Sequence, residues 1–239
     1  MAKARPDQPA FTGFGPKALD FFRALAFHQD KGWFEDNRPL YDSDVKAPLV
    51  ALVQVLSGDM ERLGLPLRGD ARSLFRLHRD VRFSKDKRPY KTNGGAVLTR
   101  DGSKKNPGLL YIHIDPEGCF TAAGFYRPEP PELLALRRRI ARQPADFRTV
   151  VAALGKAGLD LAAMDDLTRL PRGFDTQDDD LAAAFRKRSF VVRRPISDTA
   201  LRKAGLVDHI AGFAREAAPL LQFGWAALAA EPDPTTTTR

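Results

Sequence analysis

The sequence predicts an α+β fold, with a central antiparallel sheet over about residues 73–126 flanked by N-terminal and C-terminal helices. Apolar residues recur every three or four positions before residue 63 and again after residue 130, and they alternate with polar residues in between. The first pattern belongs to helices with one buried stripe, the second to strands with one buried face. Helices at both ends of an antiparallel meander define the class.

Each element follows from local sequence. Pro16 opens a helix on which Leu19, Phe22, Ala26 and Phe27 share a face. A second helical stretch runs from about Trp33 to Asp44, kinked or interrupted at Pro39. The third spans Pro48 to Leu63, where Leu49, Leu52, Val53, Leu56, Met60 and Leu63 keep a consistent helical spacing. From Phe75 to Phe83 the period becomes two. Phe75, Leu77, Val81 and Phe83 take one side, Arg76, His78, Asp80 and Arg82 the other, which predicts a strand.

Further strands are expected at 95–99, 109–114 and 119–126, with turns at Asp101-Gly102 and Pro116-Glu117-Gly118. Pro131 to Arg142 reads as a helix carrying Leu133, Leu134, Leu136 and Ile140. Asp146 is placed to cap the next, which holds Phe147, Val150, Val151 and Leu154. Residues 181–187 are helical in pattern, 189–193 form a short strand, and Ser197 or Asp198 caps a last helix toward Leu228. With no linker or repeat, residues 11–229 are read as one domain. Residues 1–10 and 230–239 lack apolar anchors and are read as disordered ends.

Composition narrows the class. Hydrophobic and charged fractions of 43% and 28% are those of an ordinary globular protein. One cysteine, Cys119, excludes an intramolecular disulfide and a cysteine-rich zinc site, and reads as a small buried residue. Neither the first residues nor any later run has the apolar length of a signal peptide or membrane span, so the expectation is a cytoplasmic protein without a membrane partner. Arg68 to Lys105 holds twelve Lys or Arg and four Asp, a net charge equal to the +8 of the whole chain. Such a concentrated field attracts phosphates, carboxylates or nucleic acid.

The candidate site lies in that stretch. Arg76, Asp80 and Arg82 project from one face of the predicted strand. A carboxylate between guanidiniums is held ionised and can aim an Arg fork at an anion. The following loop supplies Lys85, Lys87, Tyr90 and Lys91, and Arg79 adds a further cation. The string from Arg79 to Lys87, Arg-Asp-Val-Arg-Phe-Ser-Lys-Asp-Lys, followed by Pro89-Tyr90-Lys91-Thr92, resembles the signature of the domain-of-unknown-function 2461 family. Phe11-Thr12-Gly13-Phe14, residues 33–38 (Trp-Phe-Glu-Asp-Asn-Arg), Pro107-Gly108, residues 124–128 (Gly-Phe-Tyr-Arg-Pro) and residues 170–175 (Leu-Pro-Arg-Gly-Phe-Asp) extend the resemblance from about Phe11 to Trp225. The resemblance implies bacterial and fungal relatives, one domain and no reaction to carry over.

Two function classes fit these residues. In one, a small ligand bearing phosphate or carboxylate is gripped by Arg76, Arg79, Arg82, Lys85, Lys87 and Lys91, and Arg172 from the 170–175 loop joins them. Asp80 then orients the arginines or acts as base, and Tyr90 donates a proton. In the other, the same surface binds nucleic acid without base specificity, with Phe83 and Tyr90 as stacking groups. Interspersed acids favour the selective ligand site. Enzyme and pure binder stay open.

Other features have plainer readings. Trp33 and Phe34 pack in the core while Asp36 and Arg38 pair on the helix surface. The run Arg137-Arg138-Arg139 is a solvated helix face. No cofactor loop or nucleophile elbow is present. The histidines lack metal-ligand spacing, although His78 and His113 would suggest a metal if neighbouring strands brought them together.

Overall fold

The computed structural model describes residues 10–230, so the predicted disordered ends lie, apart from their inner residues Ala10 and Ala230, outside the described residues. The element order is α1 (Ala18–Phe27), α2 (Lys31–Tyr41), a π turn (Asp42–Lys46), α3 (Ala47–Arg62), a 3-10 turn (Ala71–Ser73), β1 (Gly94–Leu98), β2 (Leu109–Ile114) and β3 (Cys119–Phe125). There follow α4 (Pro130–Arg142), α5 (Pro144–Lys156), α6 (Asp179–Arg186), β4 (Phe190–Ile196), α7 (Asp198–Leu201) and α8 (Leu206–Ala229). The four strands form one antiparallel sheet in the order β1-β2-β3-β4. The predicted α+β class therefore holds.

The described residues divide into two compact units. The first comprises 10–106, 110–121 and 194–213, the second 107–109, 122–193 and 214–230. In the first, Asp30 caps α2 by accepting from the Trp33 amide at 2.8 Å. Pro39 stays inside α2, and the helix widens into the π turn directly after it. Asp44 of that turn accepts from the Lys17 amide at 3.0 Å, which ties it to the entry of α1. α3 packs on β1. Phe21, Phe22, Leu25, Leu52, Leu56, Met60, Leu98, Leu110 and Ile112 form the apolar interior.

β1 and β2 pair from Gly94↔Ile114 to Leu98↔Leu110. β2 alternates strictly: Leu110, Ile112 and Ile114 are buried, whereas Leu109, Tyr111 and His113 are half-buried. One face of this hairpin thus enters the core and the other carries Tyr111 and His113.

The predicted strand over Phe75–Phe83 is absent. In its place are isolated bridges, Leu74↔Ala96 and His78↔Tyr90, and a narrow loop. The physical reason is local. Asp80 accepts from the Arg82 amide at 3.3 Å and Asp86 from the Arg88 amide at 3.1 Å. Such Asx turns satisfy backbone donors that a strand ladder would use. Phe75 and Phe83, expected in the core, are 37% and 95% exposed. The sheet accordingly begins at Gly94, not near residue 73.

In the second unit, α4 packs against α5 and α6. Phe147 meets Phe190 and Phe223 in ring contacts with centroids 6.4 and 5.7 Å apart. Asp146 lies in the first turn of α5 and does not cap it, because Pro144 starts the helix two residues earlier. Asp178 caps α6 by accepting from the Leu181 amide at 3.0 Å. In the first unit, Ser197 caps the short α7, and the long last helix starts only at Leu206.

Candidate anion-binding site

The loop 74–93 is held by two buried side chains, Leu77 and Tyr90. Tyr90 stacks on Phe34 with centroids 4.8 Å apart and lies against His78 at 4.8 Å. Its amide donates to Gln29 Oε1 at 3.0 Å. Between these anchors the chain doubles back, with Arg79 N–H donating to Pro89 O and Lys91 N–H to Leu77 O, each at 2.8 Å. This register brings the base of the loop, with Arg76 and Lys91, to one end.

Most cations of the loop are already engaged. Arg82 forks onto Asp80, with Nε and Nη2 at 2.9 and 2.7 Å from its two oxygens. Arg79 and Arg88 both bind Asp86, at 2.6 and 2.8 Å. Lys87 Nζ donates to Val81 O at 3.0 Å. Arg88, then Arg79, hold the Asp86 carboxyl well below the usual carboxylate range. Arg82 likewise depresses Asp80, which suits an orienting role and makes it a poor base at neutral pH. Asp86 contributes to loop order above the ordinary carboxylate range, and the contribution is lost as pH falls through its depressed folded value. Asp86→Asn is expected to speed amide exchange across 79–88 at neutral pH; unchanged exchange would show that the pair orders nothing.

Arg76, Lys91 and Lys104 differ. Among the described residues none of the three has a carboxylate partner or side-chain hydrogen bond. They gather at Phe75, with the ammoniums of Lys91 and Lys104 5.5 and 5.6 Å from the ring centroid. Desolvation, then the charges of Arg76 and Lys91, lower the pKa of Lys104. The Phe75 ring stands edge-on to Tyr111, centroids 6.1 Å apart. The Tyr111 hydroxyl lies 2.8 Å from His113 Nδ1, and Asp115 is 3.4 Å from His113 Nε2. Burial keeps the His113 pKa low, partly offset by Asp115. A cation cluster thus adjoins a Tyr-His-Asp chain on the partly open face of β2.

Of the predicted site residues, the structure brings Arg76 and Lys91 together. Asp80, Arg79, Arg82 and Lys87 are bound up within the loop, and Lys85 is exposed. Tyr90 is 3% exposed, and burial followed by Glu35 and Asp30 raises its pKa. Of the two residues expected to stack on bases, only Phe83 is therefore available. Arg172 belongs to the second unit, where it is an exposed residue of the turn before Phe174. His78 and His113 sit in separate clusters, the first with Phe34 and Tyr90, the second with Tyr111 and Phe120. Sequence reasoning missed Lys104, Phe75 and Tyr111 as site residues. The alternation at 111, 113 and 115 was the available signal; the position of Lys104 depends on a turn in which Thr99 Oγ1 donates to Ser103 O at 2.7 Å.

No helix among the described residues is long and apolar enough to cross a membrane. Residues 17–223 match the model of a family described as conserved hypothetical protein, DUF2461. No curated protein and no solved structure matches the chain.

Proposed function

Since the chain belongs to the DUF2461 family, whose description assigns no reaction, we propose from its geometry that it binds a small phosphate- or carboxylate-bearing ligand at Arg76, Lys91 and Lys104. One observation carries this reading: among the described residues these cations converge without a paired acid, whereas Arg79, Arg82 and Arg88 each have one. Uncompensated like charges repel, and an anion relieves that repulsion while gaining charge-assisted hydrogen bonds. Phe75 and Tyr111 offer an apolar flank for the body of the ligand. A cytoplasmic location belongs to the same proposal, in keeping with the lone cysteine, Cys119.

Titration calorimetry with phenyl phosphate tests it. Each charge-assisted contact contributes about 1.5–3 kcal/mol, so Arg76→Ala or Lys91→Ala is expected to weaken binding roughly 10- to 100-fold. Bound anion stabilises the Lys104 ammonium and raises its pKa. Affinity is therefore full below the depressed value for the free protein and falls as pH rises through it. Wild-type affinity in both variants would overturn the site. Stronger binding of single-stranded DNA, with a steep salt dependence, would assign the surface to nucleic acid instead.

A further inference from the structure

The second unit contains a shallow hollow with its own set of cations. Arg127, Arg137 and Arg188 line it, Asp165 is the one acid among its lining residues, and Leu133 and Leu167 supply apolar wall. Arg137 is the unusual member. It sits on α4 in the run that the sequence reads as a solvated face, yet it is only 8% exposed. Its Nη2 donates to Lys187 O at 2.9 Å, while its Nε–H is buried with no acceptor among the described residues. No carboxylate pairs with it among those residues. A buried guanidinium without a counter-charge is costly unless something else supplies one.

The surroundings are built to hold that arrangement. Arg127 is a non-glycine residue with φ +43°, in the left-handed region, and its amide donates to the fully buried Ser189 Oγ at 3.0 Å. A bulky side chain is held in that conformation only when its surroundings determine it, and such strain gathers at ligand sites. Lys187 Nζ donates to Ala162 O at 3.0 Å and lies 3.4 Å from Asp166, and Leu167 N–H donates to Arg186 O at 2.8 Å. These bonds bring the 162–167 segment and its Asp165 to the hollow, where Asp165 pairs with Arg127 at 3.3 Å. Three guanidiniums thus face one carboxylate.

We propose that this hollow is a second binding site, taking a phosphomonoester dianion carried on an apolar group. Two uncompensated guanidiniums, those of Arg137 and Arg188, match a dianion, and the leucines receive the apolar body. The site is independent of the Arg76 cluster, and its test is made with that cluster removed.

The probe is phenyl phosphate, titrated into the full chain carrying Arg76→Ala and Lys91→Ala. Binding is expected to persist there, to fall at least tenfold on adding Arg137→Met, and to weaken on adding Arg188→Ala. Asp165→Asn, which frees Arg127, is expected to tighten it. Arg137→Met without ligand is expected to melt no lower than its parent, since it removes an unpaired buried charge. Absence of binding to the double variant, or affinity indifferent to both Arg137→Met and Arg188→Ala, overturns the proposal. Should Arg137→Met fail to fold, the exposed Arg188 decides the matter alone.

Discussion

Gly124→Ala is expected to lower the melting temperature by on the order of 10 °C. Gly124 lies in β3 at φ +131°, a conformation that L side chains rarely adopt, and a Cβ there would stand 2.0 Å from Phe190 O. The obstacle is backbone of the neighbouring strand, which cannot rotate away as a flexible side chain would. Backbone strain and overpacking each cost about 1–3 kcal/mol, so the two together give roughly 3–5 kcal/mol. Thermal denaturation followed by circular dichroism measures it. A melting temperature within a degree or two of wild type (about 0.5 kcal/mol) would mean that β3 and β4 approach less closely than described.

Phe34→Ala is expected to cost a similar amount, about 3–5 kcal/mol, by leaving a cavity in the first unit. Phe34 is 3% exposed and its ring touches those of Phe21, Tyr41, His78 and Tyr90. The consequence reaches the candidate site. Tyr90 is one of two buried anchors of the 74–93 loop, and its stacking partner is Phe34. The substitution should therefore both lower the melting temperature and speed amide exchange at residues 77–91. Destabilisation with unchanged loop exchange would separate the aromatic cluster from the loop.

Much of the fold was legible because burial leaves a period in the sequence. α3 kept its apolar stripe from Leu49 to Met60, and β2 kept its alternation from Leu109 to Ile114. Residues 75–83 misled because the alternation there overlaps the first of two Asp-x-Arg sequences, at 80–82 and 86–88. Their side chains close local turns and withdraw the backbone from a ladder. Arg137 was unreadable for a different reason. A run of three arginines reports charge, but which of them is buried depends on the segments packed over α4, here Lys187 and the residues near Asp165. The basic stretch itself was visible from composition, and Arg76 and Lys91 were among the residues singled out. The cluster was not, because Lys104 and Phe75 lie far apart in sequence and meet only in the folded chain, although the turn that carries Lys104 is local.

Site-resolved amide shifts during a phenyl phosphate titration report on the Arg76, Lys91 and Lys104 cluster itself. Arg76, Lys91, Lys104 and Tyr111 are expected to shift together, saturating with one affinity that Lys91→Ala weakens at least tenfold. Shifts that leave these four residues still, while others saturate, would contradict the proposed site.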